Sequence, residues 1–191
     1  MLDHPLLEIH NHTHPTADVA WLRVHLKKLL TLLKIRSGEW TLSLVDDEEM
    51  IDLHQRSLNL ATTTDVLTFD LATDTPLRKS HKLPSAIELD TVICLDEAAR
   101  QAATRHHLIR EELLLYALHS LLHVRGYDDR TPEQARRMHR REDTLLVRLG
   151  VGPVYSRLPD QSTASASPRR ATKKTVARKP ADRRSTRIKS K

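Results

Sequence analysis

One run governs what this chain can fold into: REELLLYALHSLLHVRGYDD, residues 110–129. Apolar side chains cover much of the circumference of a helix there, so the segment reads as a central, buried element. It nevertheless carries His119 and His123. Histidines four apart on a helix lie one above the other on one face, and their imidazoles can reach a single ion. The bland alternative is an incidental pair, but histidines on a buried stripe gain nothing unless something satisfies them. Gly126 then offers the left-handed turn that ends a helix, after which the chain folds back and can present a third ligand from Asp128 or Asp129. Two nitrogens and a carboxylate leave a fourth position open, the arrangement of a catalytic zinc site.

The rest of the chain supplies elements to surround that helix. LLEIH (6–10) is a candidate first strand, and Thr16 is a plausible cap for ADVAWLRVHLKKLLTLLKI. In that run Val19, Leu22, Leu26, Leu29, Leu30 and Leu33 recur at helical spacing, with Ser37-Gly38 as the stop. WTLSLV (40–45) alternates as a half-buried strand, and DDEEMIDLHQRSLNL opens with acidic residues suited to the positive end of a helix. Residues 65–71 and 87–95 read as strands on either side of a polar loop from 73 to 85. Asp96 can cap a helix through EAARQAATRHH, and Thr131-Pro132 opens the last helix, which Gly150 closes.

Charge divides the chain in two. Residues 162–191 hold 11 of the 31 Lys and Arg but one of the 25 Asp and Glu, leaving 20 basic against 24 acidic residues before them. The pI of 9.7 therefore belongs to the tail, not to a basic nucleic-acid-binding fold. The expected organisation is one domain over 1–155 and a basic, disordered tail over 156–191 whose Ser, Thr, Pro, Lys and Arg cannot offset chain entropy by burial. Such a tail can lie along an RNA backbone. Aromatic residues make up 3%, which excludes extended base-stacking platforms. One cysteine, no secretory leader and no apolar run of membrane length predict a cytoplasmic protein without a membrane partner.

HSLLHVRGYDD resembles the H-G-x-L-H-L-x-G-Y-D-H signature of the YbeY family of endoribonucleases, sharing His119, His123, Gly126, Tyr127 and Asp128. Thr64-Asp65-Val66-Leu67-Thr68-Phe69 resembles the family's T-D-V-L-S-F strand, and Asp90-Thr91-Val92-Ile93-Cys94 its G-D-I-V-I strand. The resemblance implies an α+β fold, a small mixed β-sheet packed by helices, with a metal site on a central helix and the following turn. It also implies a metal-dependent endoribonuclease that cuts single-stranded RNA in small-subunit rRNA maturation and ribosome quality control, with the small ribosomal subunit as partner. His119 and His123 carry over as ligands of one zinc ion per chain.

The sequence departs from the family pattern at four places. Asp129 stands where the family has its third ligand, a histidine. A carboxylate there lowers the charge of the site by one, which predicts a rate profile displaced to higher pH; a profile flat across neutral pH would contradict it. Ser120 and Leu89 stand where the motifs have glycine, and Leu58 occupies the spacing of an arginine thought to engage RNA phosphate, with Arg56 two residues earlier. Arg56 and Arg125 are the candidate catalytic cations, steadying charge on the phosphodiester under attack.

Two other functions compete. A zinc metalloprotease shares the ligand spacing but needs a glutamate where Ser120 stands. A non-catalytic assembly factor would keep the fold and bind the small ribosomal subunit without cutting. Of the remaining residues, His10, His12 and His14 alternate as on one strand face, His106-His107 suit a surface or capping role, and Cys94 reads as a core residue. Asp65 and Asp90 either orient a ligand histidine or hold a turn.

Overall fold

The structure is a computed structural model, described over residues 5–12, 18–72 and 86–156. The polar loop at 73–85, Thr16, His14 and the tail from 157 onward lie outside the described residues.

Four strands form one sheet in the order β1-β2-β4-β3: β1 (Leu6–Asn11), β2 (Ser37–Val45), β3 (Val66–Asp70) and β4 (Ala86–Cys94). β1 and β4 run parallel to β2, and β3 is antiparallel to β4. Five helices complete an α+β fold: α1 (Val19–Leu32), α2 (Asp47–Leu58), α3 (Leu95–Arg105), α4 (Ile109–Val124) and α5 (Pro132–Arg148).

Alternation along the strands splits the apolar residues into two clusters. Trp40, Leu42 and Leu44 of β2 and Ile87, Leu89 and Ile93 of β4 face α1 and α4 in the main core. Val45, Leu67 and Cys94 turn to the other face, where Met50 and Leu53 of α2 cover them. Helix α4 is buried from Glu112 to Leu122, 11 of its 16 residues. A fully buried leucine stabilises by about 2 kcal/mol, and α4 contributes six buried leucines to the core.

Several boundaries differ from the sequence expectation. Helix α1 stops at Leu32, with Lys34 at φ 58°, and Ser37-Gly38 begins β2 instead of ending the helix. Gly38 pairs with Ile87 at φ 101°, where a β-carbon would stand 1.8 Å from the Ile87 carbonyl oxygen, so only glycine admits this strand pairing. Asp18 caps α1, accepting from the Trp21 amide at 3.0 Å. At α3 the cap is the Cys94 thiol, while Asp96 instead accepts from the Asp47 amide at 2.9 Å. His106 ends α3 in the left-handed region at φ 56°, whereas His107 is not at the surface: its side chain is buried, with Nε2 2.5 Å from Glu112. Thr131 and Pro132 open α5 as expected, with Gln134 completing a capping box.

Cys94 is buried and donates to Asp47 Oδ1 at 3.1 Å. Burial pushes its thiol up to about 11, which suits a packing role and not nucleophilic chemistry.

Candidate metal centre

Helix α4 sets His119 and His123 one turn apart, and Arg125 then ends the helix before Gly126 enters the left-handed region at φ 83°. The Tyr127 amide returns to the Leu122 carbonyl at 3.0 Å, which folds the chain back over the last turn. That reversal brings Asp129 to the histidines. Its Oδ2 is 3.7 Å from His119 Nε2 and its Oδ1 4.0 Å from His123 Nε2. Asp128 faces elsewhere, capping the Asp129 amide at 2.9 Å and pairing with Arg130 at 3.3 Å. Among the described residues, His119, His123 and Asp129 are the one group whose ligand atoms converge, within 4.8 Å of one another, as a metal requires.

The hydrogen bonds behind the imidazoles decide what the group can hold. His119 Nδ1 is 2.6 Å from Glu142 Oε1, and His139 Nδ1 is 2.8 Å from Glu142 Oε2. Burial alone would raise the Glu142 carboxyl, but the hydrogen bonds and charges of His119 and His139 outweigh it and hold it at about 2, so it is ionised and accepts. His123 Nδ1 donates to the Tyr127 carbonyl at 3.1 Å, since a carbonyl only accepts. Both Nδ1 atoms therefore carry protons, and in the neutral rings both Nε2 atoms carry lone pairs. Those two atoms stand 2.9 Å apart beside the Asp129 carboxylate. Three Lewis bases facing one point repel one another unless a cation lies between them, and two imidazoles with a carboxylate suit zinc. The donor set fits the metal that the sequence motif implies. The His119 side chain is 4% exposed and that of Asp129 24%, so the centre opens to solvent on the Asp129 side.

Glu142 escaped sequence reading. Its signal was present, because Met138, Glu142, Leu145 and Leu146 share the buried face of α5, and a carboxylate on an apolar stripe demands a partner. Ser120 does not face the centre. Its hydroxyl lies 2.9 Å from both Thr68 Oγ1 and Thr91 Oγ1, and Trp40 Nε1 donates to Thr91 at 3.0 Å. This buried network ties α4 to β2, β3 and β4. A residue at 120 points into the sheet, so no side chain there could serve as the general base of a protease.

The two candidate cations each have a partner outside the histidine–aspartate group. Arg56 lies on α2, exposed, and pairs with Asp52 at 2.6 Å. Arg125 is buried, with Nη2 3.5 Å from the Leu33 carbonyl at the end of α1. Asp65 caps its own strand, accepting from the Val66 amide at 2.9 Å, and Asp90 lies in β4 opposite Thr41 and Phe69. His10 and His12 meet Glu8 and Glu49 respectively, at 3.4 and 3.0 Å.

With this geometry in place, similarity to known proteins is informative. Residues 8–150 match the family described as Endoribonuclease YbeY. A protein of that name from Thermobifida fusca is 33% identical over 142 residues, covering 74% of this chain and 92% of the relative. Another from Beutenbergia cavernae is 32% identical over 146 residues, covering 76% and 97%. The solution structure of TM1509 from Thermotoga maritima superposes with a TM-score of 0.51 at 19% identity, over 83% of this chain and all of that one, which supports the fold alone. Motif order, the converging histidines and full-domain similarity together establish that this chain belongs to the YbeY endoribonuclease family.

Proposed function

We propose that this chain is a zinc-dependent endoribonuclease that cuts single-stranded RNA during maturation and quality control of the small ribosomal subunit. The observation that carries the reading is the convergence of the His119 and His123 nitrogens with the Asp129 carboxylate, in a chain of the endoribonuclease family. Zinc held there would supply a Lewis acid for the phosphodiester.

The chain's own residues do the rest. Glu142 fixes the tautomer and ring orientation of His119, and the Tyr127 carbonyl does so for His123. The opening beside Asp129 admits the scissile phosphate. Arg56, exposed on α2 and paired with Asp52, can exchange that partner for a substrate phosphate. The tail, with its excess of Lys and Arg, adds salt-sensitive attraction that the acidic body lacks. No helix among the described residues is long and apolar enough to cross a membrane, and we place the protein in the cytoplasm with its ribosomal substrate.

The test is cleavage of matched single-stranded and duplex RNA by the full-length protein. Cutting of the single strand alone, abolished by a chelator, restored by zinc and absent in His119→Ala, is expected. Cutting that survives chelation would overturn the metal assignment. Absence of cutting by the zinc-loaded protein, with ribosome binding retained, would leave the non-catalytic assembly factor as the better account.

A further inference from the structure

Charge on the body of the chain is unevenly spread. Residues 1–161 hold 20 Lys and Arg against 24 Asp and Glu, yet residues 130–141, RTPEQARRMHRR, hold five arginines against one acid, Glu133. Most of this stretch is the first half of α5, and the helix divides it by face. Met138 and Glu142 are buried, while Arg136, Arg137 and Arg140 are exposed on the outer side. Like charges four apart on a helix repel, so the pair Arg136 and Arg140 costs stability and the fold gains nothing from it. The nearby acid offsets little. Arg136 meets Glu133 at 3.0 Å, but the two side chains are 61% and 75% exposed, and such a pair exchanges readily for a better anion.

The inference rests on where this face lies. Glu142, on the buried side of the same helix, is 2.6 Å from His119 Nδ1. Arg136 stands six residues before it, about 9 Å along the helix axis. The Arg137 guanidinium lies 5.3 Å over the ring of Tyr127, in the turn that carries Asp129, and the candidate metal centre opens to solvent on the Asp129 side. Arg130, 73% exposed, follows Asp129 directly. The arginines therefore start at the mouth of the centre and continue along the outer side of α5. The planar fork of each matches two phosphate oxygens, and a row of them suits a strand that carries one negative charge at every phosphate.

We propose that Arg136, Arg137 and Arg140 form a track on the outer face of α5 that holds backbone phosphates of single-stranded RNA beside the candidate metal centre. The choice of RNA among polyanions rests on the nuclease reading above; the arginine face does not. Contacts to phosphate position a strand without reading its bases, so the track sets where the strand lies and not which sequence is taken.

The test uses full-length protein stripped of metal by a chelator, so that cleavage plays no part. Affinity for a labelled single-stranded oligoribonucleotide is measured by fluorescence anisotropy across a salt series. Three proteins are compared: wild type, the triple variant Arg136→Gln/Arg137→Gln/Arg140→Gln, and Lys27→Gln/Lys28→Gln, which neutralises two exposed charges on α1. Loss of three phosphate contacts should lower the salt slope by about 2 and weaken binding at least about tenfold near 0.15 M salt. The α1 variant should keep the wild-type slope. With its like-charge neighbours removed, the triple variant should melt no lower than wild type. Arg140→Gln alone covers the case in which the triple variant fails to fold, and should lower the slope by about 0.7. Equal slopes in wild type and the α5 variants would overturn the track and leave RNA binding to the tail. A fall in the α1 variant as large per charge as on α5 would also overturn it, because the effect would then be one of net charge. The expected binding results, with no cleavage of RNA by the zinc-loaded wild type, would refute the nuclease reading and leave the track standing.

Discussion

The carboxylate of Glu142 is shared between His119, at 2.6 Å from Oε1, and His139, at 2.8 Å from Oε2. Helix α5 thereby sets the direction in which a residue of α4 presents its Nε2 atom to His123 and Asp129. His139 is fixed in turn by stacking on Tyr155, centroids 3.6 Å apart and planes 9° off parallel. The Asp143 carboxylate holds the chain at that point, accepting amides of Val154, Tyr155 and Ser156 at 3.0 to 3.1 Å. Orientation of the candidate metal ligand His119 therefore depends on packing as far along the chain as Tyr155.

Glu142→Gln keeps the volume and one acceptor but loses the charge that favours the Nδ1 proton. Zinc affinity, measured by competition with a chromophoric chelator, is expected to fall about 10- to 100-fold. Glu142→Ala also strands two imidazole donors, buried at His119 and half-buried at His139, and should lower stability by about 1–3 kcal/mol in urea titrations. Unchanged zinc affinity in the glutamine variant would show that Glu142 does not orient His119.

Ser120 tests the buried hydroxyl network. Ser120→Ala leaves Thr68 and Thr91 short of a partner and should cost about 1–2 kcal/mol, a drop of roughly 2–8 °C in Tm, with zinc binding intact. Ser120→Glu would force a carboxylate against the sheet. Insoluble or unfolded protein is the expected outcome, and a soluble variant that cleaves peptides would revive the protease reading.

Asp47 tests the link between α2 and α3. Its carboxylate accepts two hydrogen bonds from Arg100, at 2.7 and 2.8 Å. Those bonds, against the opposing effect of burial, lower its pKa from the ordinary 3.8 to about 2. A depressed carboxyl contributes stability that is fully present above the unfolded value and lost as pH falls through the folded one. Arg100→Ala should therefore melt below wild type at pH 5 to 7, and the two curves should converge as pH falls from about 4 towards 2. A gap in Tm that persists at pH 2 would assign the effect to packing.

Much of this architecture was legible where one residue type had one physical use. Gly126 with the two histidines marked the helix end and the fold-back, and Thr131-Pro132 marked the start of α5. The choice between Asp128 and Asp129 was not legible at the level of spacing, because it turns on how the tight turn at Gly126 directs two adjacent side chains. Ser120 stands at a glycine position of the motif, and only the register of α4 against Thr68 and Thr91 directs its hydroxyl to the sheet. The missed cap at Cys94 and the early start of β2 share a cause, since both follow from strand pairing across long stretches of chain: Cys94 with Val45, and Gly38 with Ile87. Local propensity carries no information about such pairing.

The most direct test of the central claim is elemental analysis of protein purified without chelator or nickel affinity resin, on wild type and Asp129→Ala. The account predicts about one zinc per wild-type chain and its loss, or a large fall in occupancy, in the variant. A wild-type protein that contains no metal and fails to bind added zinc would contradict the account, because nothing would then relieve the three bases that converge at His119, His123 and Asp129.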